Sequence, residues 1–215
     1  MQSVCRSPLY HGLFLTLDIT RFVCCTLDNG RAYRIRSYKS KYDPGLPFTV
    51  WQAARATSAA PSFFDPLSVK DITTLRDGSL RNNNPINEVI DEVHTEFSDH
   101  EISCLVSIGT GVSKTEFFGN GLVSIARACA RIATDTDEAE RTFRNNHASP
   151  NQVLHDCYFR FEVEQGLQDV GMEEWKNTEH IWGVTTSYLN DPIRRDMFGK
   201  CAVKLGGPET ATEPM

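Results

Sequence analysis

A chain of 215 residues with 40% hydrophobic and 23% charged residues can bury a core of ordinary size, which excludes a disordered or fibrous protein. Its formal net charge of −6, with no basic stripe along the sequence, gives no electrostatic basis for binding nucleic acid.

Residues 1–20 carry no motif. The run at 9–19 is apolar but broken by His11, Gly12 and Asp18, too short for a transmembrane helix and too interrupted for a signal peptide. The runs 21–27 and 31–38 flank Asp28-Asn29-Gly30, and the Asn-Gly step predicts a hairpin because glycine accepts positive φ. Tyr33 and Ile35 alternate with Arg34 and Arg36, so one face of the second strand is expected to be wet. Residues 39–48, with Pro44, Gly45 and Pro47, read as a polar loop. A helix is expected from Thr49, its N-cap, to about Ala60, where Pro61 stops it. Its Ala53, Ala54, Ala56, Ser58, Ala59 and Ala60 permit close approach to a neighbouring backbone, so this helix is expected to be covered.

A short strand over 73–76 leads into Asp77-Gly78. Asn84 suits the N-cap and Pro85 the first position of the next helix. In that helix Ile86, Val89, Ile90, Val93 and Phe97 fall on one face. Residues 102–108 form an apolar, β-branched run, expected as a central strand covered on both faces and ending at Gly109-Thr110-Gly111. Further elements are expected as helix near 121–144, strand near 157–163, helices near 171–176 and 178–203, and a frayed tail over 204–215. Strand–helix alternation indicates an α/β layer fold, with one domain over 21–203.

Seven cysteines are scattered without a CxxC pair, and the six histidines lie far apart. The thiols read as reduced and mostly buried in a cytoplasmic protein, and no metal-ligand spacing appears. His94 and His155 have no partner at catalytic spacing. Asp77 is the strongest chemical candidate. It ends a strand before Gly78, which lets the chain turn sharply and aim the carboxylate into a cleft, although an ordinary Asp-Gly turn is the alternative. Gly78, Ser79 and Asn84 belong to the loop that would support it. Ser79 reads as a turn hydroxyl rather than a nucleophile. Phe63 and Phe64 read as packing aromatics rather than an acyl pocket, and Asn82, Asn83 and Asn84 as a polar turn with a helix cap. Gly109-Thr110-Gly111 lacks the third glycine or the lysine of a phosphate cradle.

Three segments together resemble the patatin-like phospholipase family, and its fungal branch in particular. They are WQAARATSAAPSFFDPLSVKDITTLRDGSLRNNNP from Trp51 to Pro85, LVSIGTG at 105–111, and YFRFEVEQGLQDVGMEEW at 158–175. The resemblance covers most of residues 20–200. It implies a three-layer α/β/α sandwich with a mainly parallel central sheet. It also implies a Ser–Asp dyad that hydrolyses glycerolipid or phospholipid esters with no metal or organic cofactor. In that pattern Asp77 is the proton acceptor that activates the serine and later a water.

One element of the pattern is missing. The family's nucleophile sits in a G-x-S-x-G elbow, and no serine here has glycine at both −2 and +2. Ser107, in VSIGTG, lacks the first glycine and follows Asp77, whereas the family's serine precedes its aspartate. No glycine-rich run near the N-terminus offers oxyanion-hole donors. The resemblance therefore implies the C-terminal part of a catalytic domain preceded by an atypical segment, 1–20, with the missing elements expected upstream. Such a chain is expected to be inactive alone and to touch membranes only peripherally. A non-catalytic lipid- or partner-binding remnant of the fold is the alternative.

Overall fold

The computed structural model describes residues 22–61, 63–69, 73–112, 136–171, 174 and 176–206. Sequence expectations for 1–20, most of 121–144, half of 171–176 and the tail beyond 206 lie outside them, and the described Gly171, Glu174 and Lys176 are not in the helix expected over 171–176. Two compact units emerge, one holding residues 22–100 and 136–143, the other 101–112 and 144–206.

The first unit is built on a four-stranded sheet. Strands β1 (Phe22–Leu27) and β2 (Ala32–Arg36) form the expected hairpin, with Gly30 at φ 78° in the turn. The sheet order is β2-β1-β4-β3, where β3 is Leu67–Val69 and β4 is Thr73–Asp77, and all three pairings are antiparallel. Cross-strand partners share a face, so register assigns each side chain to one of two layers. Val23, Cys25, Leu27, Ile35, Leu75, Leu67 and Val69 point to one side, where they pack with Ala53 and Ala56 of α1 (Val50–Thr57). The expected covered helix is therefore present, and its alanines are what let it lie close.

Arg34 and Arg36 occupy the opposite face, and that face is not wet. It is covered by α3 (Ile86–Glu96), which follows a single helical turn, α2 (Ser79–Asn82). Ile86, Val89 and Ile90 of α3 are buried as its periodicity predicts, but so are Glu92 and Glu96. The Glu92 carboxylate, 2% exposed, accepts hydrogen bonds from Arg34 Nη1 at 2.7 Å, from Arg36 Nε and Nη2, and from Tyr38 Oη at 2.5 Å. Glu88 adds a second contact to Arg34 Nε at 2.6 Å. Glu96 receives Ser40 Oγ and the Lys41 backbone N–H. A buried carboxylate is stable only when paired and hydrogen-bonded in this way. The unit thus stacks helix, sheet and helix.

The second unit contains a parallel pair, β5 (Leu105–Ile108) and β6 (Tyr158–Phe161). A core of Cys104, Phe159, Phe161 and Cys201 joins this pair to α6 (Pro192–Gly206), with Phe161 and Phe198 stacked at 4.1 Å. Helix α5 is Thr178–Asn190, while α4, Thr136–His147, belongs to the first unit up to Phe143. The α/β class stands, but the strands are parallel only in part: one described pairing is parallel and three are antiparallel. Among the described residues β5 pairs with β6 alone, and Ile108 is 66% exposed, so β5 is not the strand covered on both faces that its apolar run predicts. The helix expected over 178–203 is two helices. Asp191 breaks it with ψ 130° and caps α6, while Pro192 takes that helix's first position. Residues 204–206, expected to begin the tail, are still helical.

Burial acts to raise the Glu92 carboxyl, but hydrogen bonds from Arg36, Tyr38 and Arg34 outweigh it and hold the group down at about 2, against an ordinary 4.5. A depressed carboxyl contributes stability above its unfolded value and loses it as pH falls through the folded one. Stability is therefore expected to drop by roughly 3 kcal/mol between about pH 5 and pH 2 on account of this group. Urea unfolding of Glu92→Gln is expected to show a loss of similar size at pH 7, with a flatter dependence on pH in that window.

Candidate active site

Asp77 is the last residue of β4 and lies directly opposite Cys25 of β1, so both side chains project from the face that α1 covers. Its backbone is fastened from two elements. Thr26 Oγ1 of β1 donates to the Asp77 carbonyl at 2.9 Å, and the Asp77 N–H donates to the Ala59 carbonyl at 3.2 Å. The neighbouring Gly78 N–H reaches the Thr57 carbonyl at 3.4 Å, while Thr57 Oγ1 donates to the Cys24 carbonyl at 2.7 Å. These contacts explain why α1 stops at Thr57 rather than at Ala60. The carbonyls of Thr57 and Ala59 turn out of the helix to receive the end of β4.

Gly78 is needed for space, not for an unusual φ, since its φ is −63°. A Cβ there would lie 2.3 Å from the Cys24 carbonyl oxygen. The strand can therefore turn against β1 only without a side chain at this position. The turn brings the Ser79 backbone N–H to Asp77 Oδ1 at 2.6 Å. Ser79 thus supports the carboxylate through its backbone, not through the hydroxyl that sequence reasoning weighed. Asp77 is buried, at 8% exposure, with one carboxylate oxygen engaged in this bond.

Asn84 does not cap α3, whose N-cap is Pro85. It is buried instead, with Nδ2 donating to the Thr136 carbonyl at 3.4 Å and Oδ1 without a hydrogen-bond partner among the described residues. Its amide ties the far end of the aspartate loop to the start of α4. Nothing in the local sequence signals that contact, because the acceptor is 52 residues away. Phe63 and Phe64 are 49% and 57% exposed, so they neither pack in the core nor enclose a pocket. The guanidinium of Arg55 lies over the Phe64 ring.

Among the described residues Cys25 and Ser107 are candidate nucleophiles, and both are disabled. Cys25 faces Asp77, but burial, and then the negative charge of Asp77, push its thiol up to about 12. It therefore stays protonated at neutral pH and has little nucleophilic character. Ser107 is fully buried in the second unit and accepts a hydrogen bond from Arg160 at 2.7 Å. Arg160 also pairs with Glu162, whose other oxygen receives the Gly111 N–H at 2.7 Å. Gly109-Thr110-Gly111 is thus a turn closed on a buried carboxylate. Among the described residues no group of His, Cys, Asp and Glu could hold a metal ion, and no helix is long and apolar enough to cross a membrane.

Gly78→Ala is expected to destabilise the protein by roughly 2–3 kcal/mol, because the rigid Cys24 carbonyl cannot give way as a flexible side chain could. The shift in the urea midpoint measures it.

Comparison with known proteins adds a family to this geometry. Residues 11–90 match the family model described as Patatin-like phospholipase. Calcium-independent phospholipase A2-gamma of Oryctolagus cuniculus is 29% identical over 158 residues, covering 68% of this chain and 19% of that protein. Phospholipase A I of Arabidopsis thaliana is 41% identical over 88 residues, 38% of this chain and 7% of that protein. Patatin-like phospholipase 1 of Plasmodium falciparum is 26% identical over 190 residues, 75% of this chain and 28% of that protein. The chain therefore spans well under a third of each of these relatives. The segment that contains Asp77 and the loop that holds it is therefore similar to the patatin-like phospholipase family.

Proposed function

We propose that this chain carries the aspartate half of a serine–aspartate acyl hydrolase site for glycerolipid or phospholipid esters. The observation that carries the reading is the Asp77 carboxylate at a strand end, its backbone held by the Thr26 hydroxyl of β1 and the Ala59 carbonyl just past α1, and its Oδ1 by the Ser79 N–H. A serine hydroxyl is a weak nucleophile until a neighbouring base takes its proton. A carboxylate with an ordinary pKa of about 4 can do so only when its position is well defined. The backbone bonds supply that definition. The carboxylate would accept the serine proton during acylation, then take a proton from the water that releases the fatty acid.

The serine itself has to come from a G-x-S-x-G segment that these 215 residues do not contain. On this reading the chain alone is inactive. The five described cysteines are free and buried, which suits a reducing, cytoplasmic setting, and the substrate would be met at a membrane surface by peripheral contact. The phospholipases among its relatives support a phospholipid substrate. A second reading, a non-catalytic lipid- or partner-binding remnant, is favoured by Val50 and Trp51, which stand 87% and 63% exposed at the start of α1.

The purified chain is expected to hydrolyse short-chain nitrophenyl esters no faster than its Asp77→Ala variant, several orders of magnitude below a complete dyad. Hydrolysis that Asp77→Ala abolishes would show that the chain provides its own nucleophile, and the half-site reading would be wrong.

A further inference from the structure

The second unit holds a cleft of about 530 Å³, within the usual range for small-molecule sites. It opens where the chain leaves β6, lined by Val163, Glu164 and Gln165 on one side and by Tyr188, Asp191 and Arg194 among the residues on the other. In α/β proteins ligands gather at the carboxyl ends of parallel strands, and β5 and β6 are the parallel pair. None of these residues belongs to the aspartate loop.

The charges in this cleft are arranged in pairs. Arg194 lies over the Tyr188 ring, 5.2 Å from its centroid, and its Nη2 donates to Glu164 Oε1. Among the described residues the Nε and Nη1 of Arg194 donate to nothing, so the guanidinium, 27% exposed, can still bind an anion. Asp191 uses Oδ1 to cap α6 through the N–H groups of Ile193 and Arg194. Its second oxygen and the 64% exposed Glu164 carboxylate leave room for a cation. Two carboxylates and one guanidinium favour neither a simple anion, which both carboxylates repel, nor a simple cation, which Arg194 repels. They favour a ligand that carries both charges. Val184 and Ile193 add apolar wall, and Ile193 is 76% exposed with its side chain otherwise uncovered.

We infer that this cleft binds a phosphate–ammonium zwitterion, with the phosphate on Arg194, the ammonium between Glu164 and Asp191, and adjoining apolar groups against Val184 and Ile193. Phosphocholine is the probe, titrated into the 215-residue chain while backbone amide resonances are followed by NMR. Saturable shifts are expected at residues 163–165 and 187–194. Phosphocholine should bind at least about 5-fold tighter than choline or inorganic phosphate alone, and Arg194→Gln and Glu164→Gln should each weaken it about 10-fold. Both substitutions are at partly exposed side chains, and unchanged circular dichroism checks that they fold. Asp77→Asn should leave binding unchanged, which separates this site from the catalytic reading. Competition by phosphatidylcholine vesicles identifies a lipid headgroup as the source, and its absence a soluble phosphoamine. The inference is overturned if no saturable shift appears, if either half binds as tightly as the zwitterion, or if Arg194→Gln binds like the parent.

Discussion

The Glu92 carboxylate fixes the geometry on which the candidate site depends. It is buried between α3 and the sheet, and its bonds to Arg34, Arg36 and Tyr38 are the main polar link between that helix and the β1–β2 hairpin. A charge at 2% exposure tolerates no drift, because moving away from its partners would leave it unpaired in a medium of low dielectric. The helix is therefore held in position as well as in place. The aspartate loop runs from the end of β4 to the start of α3, so both of its ends are anchored to the same sheet.

Between those anchors the loop is shaped by what is absent. Ala56 and Ala59 are almost fully buried, and their lack of bulk lets the end of α1 come near enough for its carbonyls to receive Asp77 and Gly78. Gly78, lacking a Cβ, lets the chain pass the Cys24 carbonyl. The result is a carboxylate whose backbone has nowhere to go and which keeps one oxygen outside its bond with the Ser79 N–H. Such a rigid backbone would suit the general-base role proposed for Asp77, since misplacement by an ångström is expensive in rate. The Cys25 thiol opposite it is kept inert by the same burial.

Much of this was legible in the sequence where the controlling interaction is local. The Asn29-Gly30 turn follows from glycine's access to positive φ, and the start of α1 from Thr49 as N-cap, to which the structure adds a capping box with Gln52. Asp77 at a strand end was legible for the same reason. Where the partner is distant, local reading failed. Arg34 and Arg36 looked like a wet face because the carboxylates that cover them lie 54 to 58 residues further on. Asn84 looked like a helix cap because its acceptor, Thr136, is equally remote. Ile108 belongs to a run apolar enough for a central strand, yet no described neighbour covers it. The break before α6 is different in kind. Asp191-Pro192 announced it, since proline lacks the N–H a continuing helix would use, and the apolar content of 178–203 obscured that signal.

On the proposed function, Asp77 would serve as base to a serine carried on a G-x-S-x-G segment outside these residues. A hybrid protein tests it most directly, with the G-x-S-x-G segment of a relative such as the Arabidopsis phospholipase A I joined ahead of residue 22. The hybrid is expected to hydrolyse a phospholipid ester, and Asp77→Asn in it to lose that activity by at least about 1000-fold without loss of folding. A folded hybrid whose hydrolysis is indifferent to Asp77→Asn would contradict the account.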